Sequence, residues 1–235
     1  MSNYNKKLFS GGLRKRLHIM RFKWLHQRLQ EPEDSYSLFE LGCFDCRSLQ
    51  YIPRPKRYLG ADAGWEGGIN DAQMTYVNVP WAKLVVALTA RDLEPFQDQR
   101  FDYSVALETL EHIPEALLDG YLKFLARVTT KQLLITVPVE IGAVFLLKYL
   151  AKRLFSNLEG GDTHTYTLAE VYWATLGRVD RVRRFEHKGF DYRIFIEQLR
   201  QYFDIVRVDG LPFTRFPTLS FQVAILAEPK KGVRA

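Results

Sequence analysis

At 235 residues the chain is long enough for one well-buried α/β domain carrying an inserted subdomain. Apolar residues make up 47% and charged residues 26%, the balance of a soluble globular protein, which excludes wholesale disorder. The net charge of +6 is uneven: residues 1–30 hold eight Lys and Arg and no Asp or Glu, so the rest of the chain is slightly acidic.

No apolar run approaches the about 20 residues needed to span a bilayer. Charges interrupt the N-terminus where a signal peptide would be apolar. A cytoplasmic protein is expected. The only cysteines, Cys43 and Cys46, cannot build a disulfide framework, which agrees with a reducing compartment.

In chain order, residues 1–30 read as a basic amphipathic helical arm, with Leu13, Leu17, Met20 and Trp24 at helical spacing among Lys and Arg. Residues 31–235 read as the main domain. Strands are predicted at 36–41, 57–62, 84–89, 101–107, 131–137, 204–209 and 219–227, with helices at 114–128 and about 189–203. Leu117, Leu118, Tyr121, Leu122, Leu125 and Val128 make the apolar face of the first helix, and Pro114 suits its start. Between the fifth and sixth strands lie 66 residues, far more than one crossover helix needs. Residues 141–188 therefore form an expected insertion, a substrate-facing cap on the sheet edge where open α/β folds bind ligands. Its stripe of Val144, Leu147, Leu150 and Leu154 beside Lys148, Lys152 and Arg153 gives a second basic amphipathic helix.

The chemistry concentrates at predicted strand ends. The first strand runs into Glu40-Leu-Gly42-Cys43-Phe44-Asp45-Cys46, and the second ends in Asp62, 22 residues after Glu40. An acid about 20 residues beyond a glycine turn is placed to accept hydrogen bonds from ribose hydroxyls. Asp92-Leu93 follows the third strand, and Leu107-Glu108-Thr-Leu-Glu111-His112-Ile113 leaves the fourth.

This four-part series resembles the class I S-adenosylmethionine-dependent methyltransferases. The resemblance implies a Rossmann-like, doubly wound seven-stranded sheet, mostly parallel with an antiparallel last strand. It implies S-adenosylmethionine as cofactor, held through Glu40, Gly42, Cys43, Phe44, Asp62, Asp92, Leu93, Leu107 and Glu108. In that family the first turn carries three alternating glycines; here Phe44 and Cys46 stand at the second and third. Phe44 cannot cheaply take a left-handed backbone, so either a reshaped turn or a different hold on the methionine end of the cofactor is expected.

A hydroxyl acceptor needs a base, and imidazole titrates near neutral pH. His112, His164 and His187 are the candidates. The acceptor is read as an oxygen of a small molecule, sugar or lipid-linked glycan. No metal set is read, and the chain lacks the Asn/Asp-Pro-Pro-aromatic tetrapeptide of DNA amino methyltransferases. For the two basic helices, packing on the domain ranks first, contact with an anionic membrane second and nucleic acid third. Three alternatives stand beside this reading: a degenerate nucleoside-binding or partner module, an RNA-directed methyltransferase, and a redox site at Cys43-x-x-Cys46.

Overall fold

The computed structural model describes residues 12–155, 165–185 and 187–232. His164 and residues 1–11 lie outside the described residues. One sheet is built from β1 (Ser37–Leu41), β2 (Arg57–Asp62), β3 (Ala82–Val86), β4 (Phe101–Leu107), β5 (Thr129–Pro138), β6 (Phe203–Leu211) and β7 (Gln222–Pro229). Its order is β3-β2-β1-β4-β5-β7-β6. The first five strands pair in parallel; β7 runs antiparallel to both β5 and β6. The doubly wound seven-stranded sheet and its antiparallel final strand are thus observed.

Every residue of β1 is buried, as expected for a central parallel strand covered on both faces. Alternate side chains feed two cores. Phe39 and Leu41 face a layer containing α3 (Glu115–Val128) and α6 (Tyr192–Leu199), through Leu118, Leu122, Leu125, Phe195 and Leu199. Leu38 faces the other layer, made by α1 (Gly12–Arg28) and α2 (Gly68–Tyr76). There Phe22, Trp24 and Leu25 of α1, with Leu29 just beyond it, are buried. Trp24 and Arg28 also bond to Asp209 of β6, at 3.2 and 2.9 Å.

The insertion carries α4 (Gly142–Phe155) and α5 (Leu168–Thr175). Phe145 and Tyr149 of α4 pack on Val171 and Ala174 of α5, a contact that turns the expected stripe outward. Leu147, Leu150 and Leu154 are consequently exposed. Lys188 fastens this unit: its buried ammonium donates to the Thr165 carbonyl at 2.6 Å and to Glu170 at 2.9 Å.

Two other expectations are corrected. The third strand ends at Val86, because Asp92 takes the Leu88 and Thr89 N–H groups at 2.9 and 2.8 Å and starts a turn there. Leu117 is exposed; the apolar face of its helix lies on Leu118, Tyr121, Leu122, Leu125 and Val128. Among the described residues no helix is long and apolar enough to cross a membrane.

Candidate cofactor and acceptor site

The reversal of strand order falls between β1 and β4, and their carboxyl-end loops flank the crevice where such sheets bind ligands. In the loop after β1 Phe44 does take the left-handed backbone that its side chain disfavours. Gly42, Phe44 and Cys46 all have positive φ, at 74°, 48° and 57°. The loop thus holds two side chains, Phe44 and Cys46, in strained left-handed positions, each costing about 1–3 kcal/mol. Two contacts hold it. Asp62 accepts from the backbone N–H of Phe44 at 3.0 Å and of Gly64 at 2.8 Å. Gly42 approaches the β4 loop so closely that a Cβ would sit 2.1 Å from Thr109 Oγ1.

Glu40 is buried at the base of this loop, where Ser48 Oγ (2.5 Å) and the Tyr58 hydroxyl (2.6 Å) donate to Oε2. Burial raises its pKa to about 7 despite both donors. Burial also raises the pKa of Asp62, against the pull of its backbone donors. Cys43 turns into the core, its Sγ against Gly60, and does not face the ligand edge. A hydrogen bond with Cys46 and burial push its thiol well up, the opposite of a reactive thiolate. The Phe44 ring lies on Gly68, where a Cβ would fall 2.4 Å from it.

Leu93 is fully buried among core residues, and Asp92 serves as a turn cap. Leu107 is buried at the end of β4. Glu108 follows with φ 54°, a non-glycine residue in the left-handed region beside the crevice. Its Oε1 is sealed from solvent with no hydrogen-bond partner among the described residues. The same is true of Thr136 Oγ1, both Gln222 amide atoms and both Glu111 carboxylate oxygens. Buried polar atoms are normally paired. These atoms lie at or just beyond the carboxyl ends of β4 and β5 and at the start of β7.

Two of the histidine candidates meet here. The insertion brings His187 against His112, with ring centroids 4.1 Å apart, and places His187 Nδ1 3.9 Å from Glu111 Oε1. Burial, with the charges of His112, Lys148, Lys152 and Arg184, lowers the His187 pKa to about 3, so the imidazole is neutral. A small cavity of about 30 Å³ opens beside His187 between Lys148, Tyr149 and Tyr166. A larger one, about 500 Å³, lies at the opposite sheet edge around Lys56, Arg57 and Asp102, where folds of this type do not bind ligands.

Sequence reasoning missed Glu111 as a site residue, although it stands directly before His112. It also missed Arg21 of α1, a buried cation whose charge offsets those of Glu108 and Glu111.

No protein-family model matches the chain, and no curated protein matches it. Solved structures do. The PH0226 protein from Pyrococcus horikoshii OT3 is 15% identical, with 98% of this chain and 100% of that one covered and a TM-score of 0.61. A SAM-dependent methyltransferase from Aquifex aeolicus is 12% identical, covering 91% and 92%, at a TM-score of 0.56. The fold is that of the S-adenosylmethionine-dependent methyltransferases. Magnesium protoporphyrin IX methyltransferase from Synechocystis PCC 6803, solved with bound SAH, shares this methyltransferase fold at 14% identity, with 96% and 92% covered and a TM-score of 0.53.

Proposed function

We propose that this chain transfers a methyl group from S-adenosylmethionine to an oxygen of a small molecule, sugar or lipid-linked glycan. The observation that carries the reading is the left-handed backbone at Gly42, Phe44 and Cys46 beside Asp62. Strain of this kind persists only where the surroundings over-determine it, and here it keeps the loop of a nucleoside site.

When bound, the cofactor would supply an electrophilic sulfonium methyl. Asp62 would accept from its ribose hydroxyls, having lone pairs left after its two backbone donors. Glu40 would support the turn from below, and Glu108 with Gln222 would meet the amino-acid end, giving the sealed Glu108 Oε1 a donor. The Phe44 ring, packed on Gly68, would swing aside to admit the nucleoside.

Alignment of acceptor and methyl supplies much of the rate in such a displacement. The insertion is read as the acceptor-side cap, because it delivers His187 to the β4 loop at His112 and Glu111. The exposed leucines of α4, flanked by Lys152 and Arg153, favour acceptors presented at an anionic membrane surface.

Calorimetric titration with S-adenosylmethionine and S-adenosylhomocysteine tests the core of this reading, with Asp62→Ala as control. Micromolar binding lost in the variant is expected. No heat from either ligand with folded protein would instead support the non-catalytic module, the reading that Phe44 packed on Gly68 favours.

A further inference from the structure

Glu111, His112 and His187 each present a ligand atom, and these atoms all lie within 4.8 Å of one another. Glu111 is fully buried, and neither carboxylate oxygen has a hydrogen-bond partner among the described residues. His187 Nδ1 is equally sealed and unpartnered. The 3.9 Å between His187 Nδ1 and Glu111 Oε1 is too long for a hydrogen bond, so the two face one another without a proton shared between them. A carboxylate buried without a donor is costly unless it is neutralised or coordinates a metal.

We propose that Glu111, His112 and His187 form a binding site for a divalent first-row transition cation such as Zn²⁺, Mn²⁺ or Co²⁺. Two imidazoles and one carboxylate suit these ions, whereas Mg²⁺ and Ca²⁺ prefer all-oxygen sets. Ligands at about 2.0–2.2 Å from an ion stand roughly 3–4 Å from one another. The 3.9 Å pair is already in that range, and all three ligand atoms lie within 4.8 Å of one another.

Glu108 and Glu140 add negative charge nearby and Arg21, Lys148, Lys152 and Arg184 add positive, so Glu111 is the one acidic ligand of the set. Burial runs from Glu111 at the bottom to His112 at the surface, which leaves the solvent side open as in catalytic rather than structural sites. An open position there would favour acceptors bearing a hydroxyl oxygen. That consequence rests on the methyl-transfer reading; cation binding does not.

The test uses the full chain, treated with chelator and dialysed, with no S-adenosylmethionine present. ZnCl₂, MnCl₂ and MgCl₂ are titrated separately by calorimetry, with the Mn²⁺ electron paramagnetic resonance signal as a second readout. One saturable site is expected, with Mg²⁺ at least 100-fold weaker than Zn²⁺. His187→Ala and His112→Ala should each weaken Zn²⁺ and Mn²⁺ at least tenfold. His112 is exposed, so its variant leaves the core intact, and circular dichroism checks the fold of both. No saturable binding of Zn²⁺ or Mn²⁺, or unchanged affinity in both variants, overturns the proposal. Metal binding without S-adenosylmethionine binding would sink only the methyl-transfer reading, and the reverse pattern only this one.

Discussion

Asp62, at the end of β2, accepts the backbone N–H of Phe44 across 18 residues, tying the loop after β1 to the neighbouring strand. Its other oxygen takes the N–H of Gly64. Asp62→Asn keeps the shape but turns one acceptor into a donor, so one of these N–H groups loses its partner. The expected cost is about 1–3 kcal/mol of stability, together with at least a tenfold loss of S-adenosylmethionine affinity. Urea unfolding and calorimetry measure the two. Loss of stability with unchanged affinity would remove Asp62 from the cofactor site.

Phe44→Gly relieves a strained backbone position and uncovers Gly68. The lost ring packing and the greater freedom of glycine in the unfolded chain offset the relief, so stability should stay within about 1 kcal/mol of the parent. Affinity for S-adenosylmethionine should rise several-fold, because the ring no longer has to move. Weaker binding would show that the ring is a ligand contact and not an obstacle.

Glu40 makes stability depend on pH. Its folded pKa of about 7 exceeds the ordinary 4.5, so the folded state holds the extra proton between those values. Its contribution is complete below pH 4.5 and is lost as pH rises through 7, a span of about 3 kcal/mol. Glu40→Gln cannot titrate. Urea unfolding at pH 5 and pH 8 should therefore show a smaller decline in the variant than in the parent. Equal declines would place the proton elsewhere.

The sheet was legible because its strands are short buried apolar runs bounded by turns. β2 and β4 end where the pattern put them, at Asp62 and Leu107. Three features were not legible, each for its own reason. The turn at Phe44 and Cys46 defies the local preference of those residues, and only tertiary contacts to Asp62 and Thr109 hold it. In α4 two helical stripes compete, Phe145/Tyr149 and Leu147/Leu150/Leu154; the partner helix α5 selects the aromatic one. The meeting of Glu111, His112 and His187 depends on how the insertion folds back onto the β4 loop, which no local pattern encodes.

Lys188 and Glu170 hold the insertion together, and their ion pair is shielded, at 5% and 13% side-chain exposure. Bonds from Lys188, Thr167 and Arg183 hold the Glu170 pKa down at about 2 against desolvation. That contribution is present above pH 4.5 and is lost as pH falls toward 2. Lys188→Met strands Glu170 without its cation and should cost about 3 kcal/mol. Limited proteolysis should then cut first within residues 141–188, whereas cleavage spread evenly over the chain would deny the pair this local role.

The outward stripe of α4 gives the membrane question a surface. Leu147 and Leu154 are 66% and 75% exposed, with Lys152 and Arg153 beside them. The helix packs next to the turn at Pro217–Leu219, where Phe216 and Leu219 are exposed as well. Exposed apolar side chains edged by cations suit the boundary of an anionic bilayer, where leucines enter the acyl region and lysines meet headgroups. Co-sedimentation should show binding to phosphatidylglycerol vesicles and little to phosphatidylcholine vesicles. The double variant Leu147→Ser, Leu154→Ser should cut the bound fraction several-fold without lowering the melting temperature, because neither side chain is buried. Equal binding to both vesicle types would reduce the stripe to solvated helix surface.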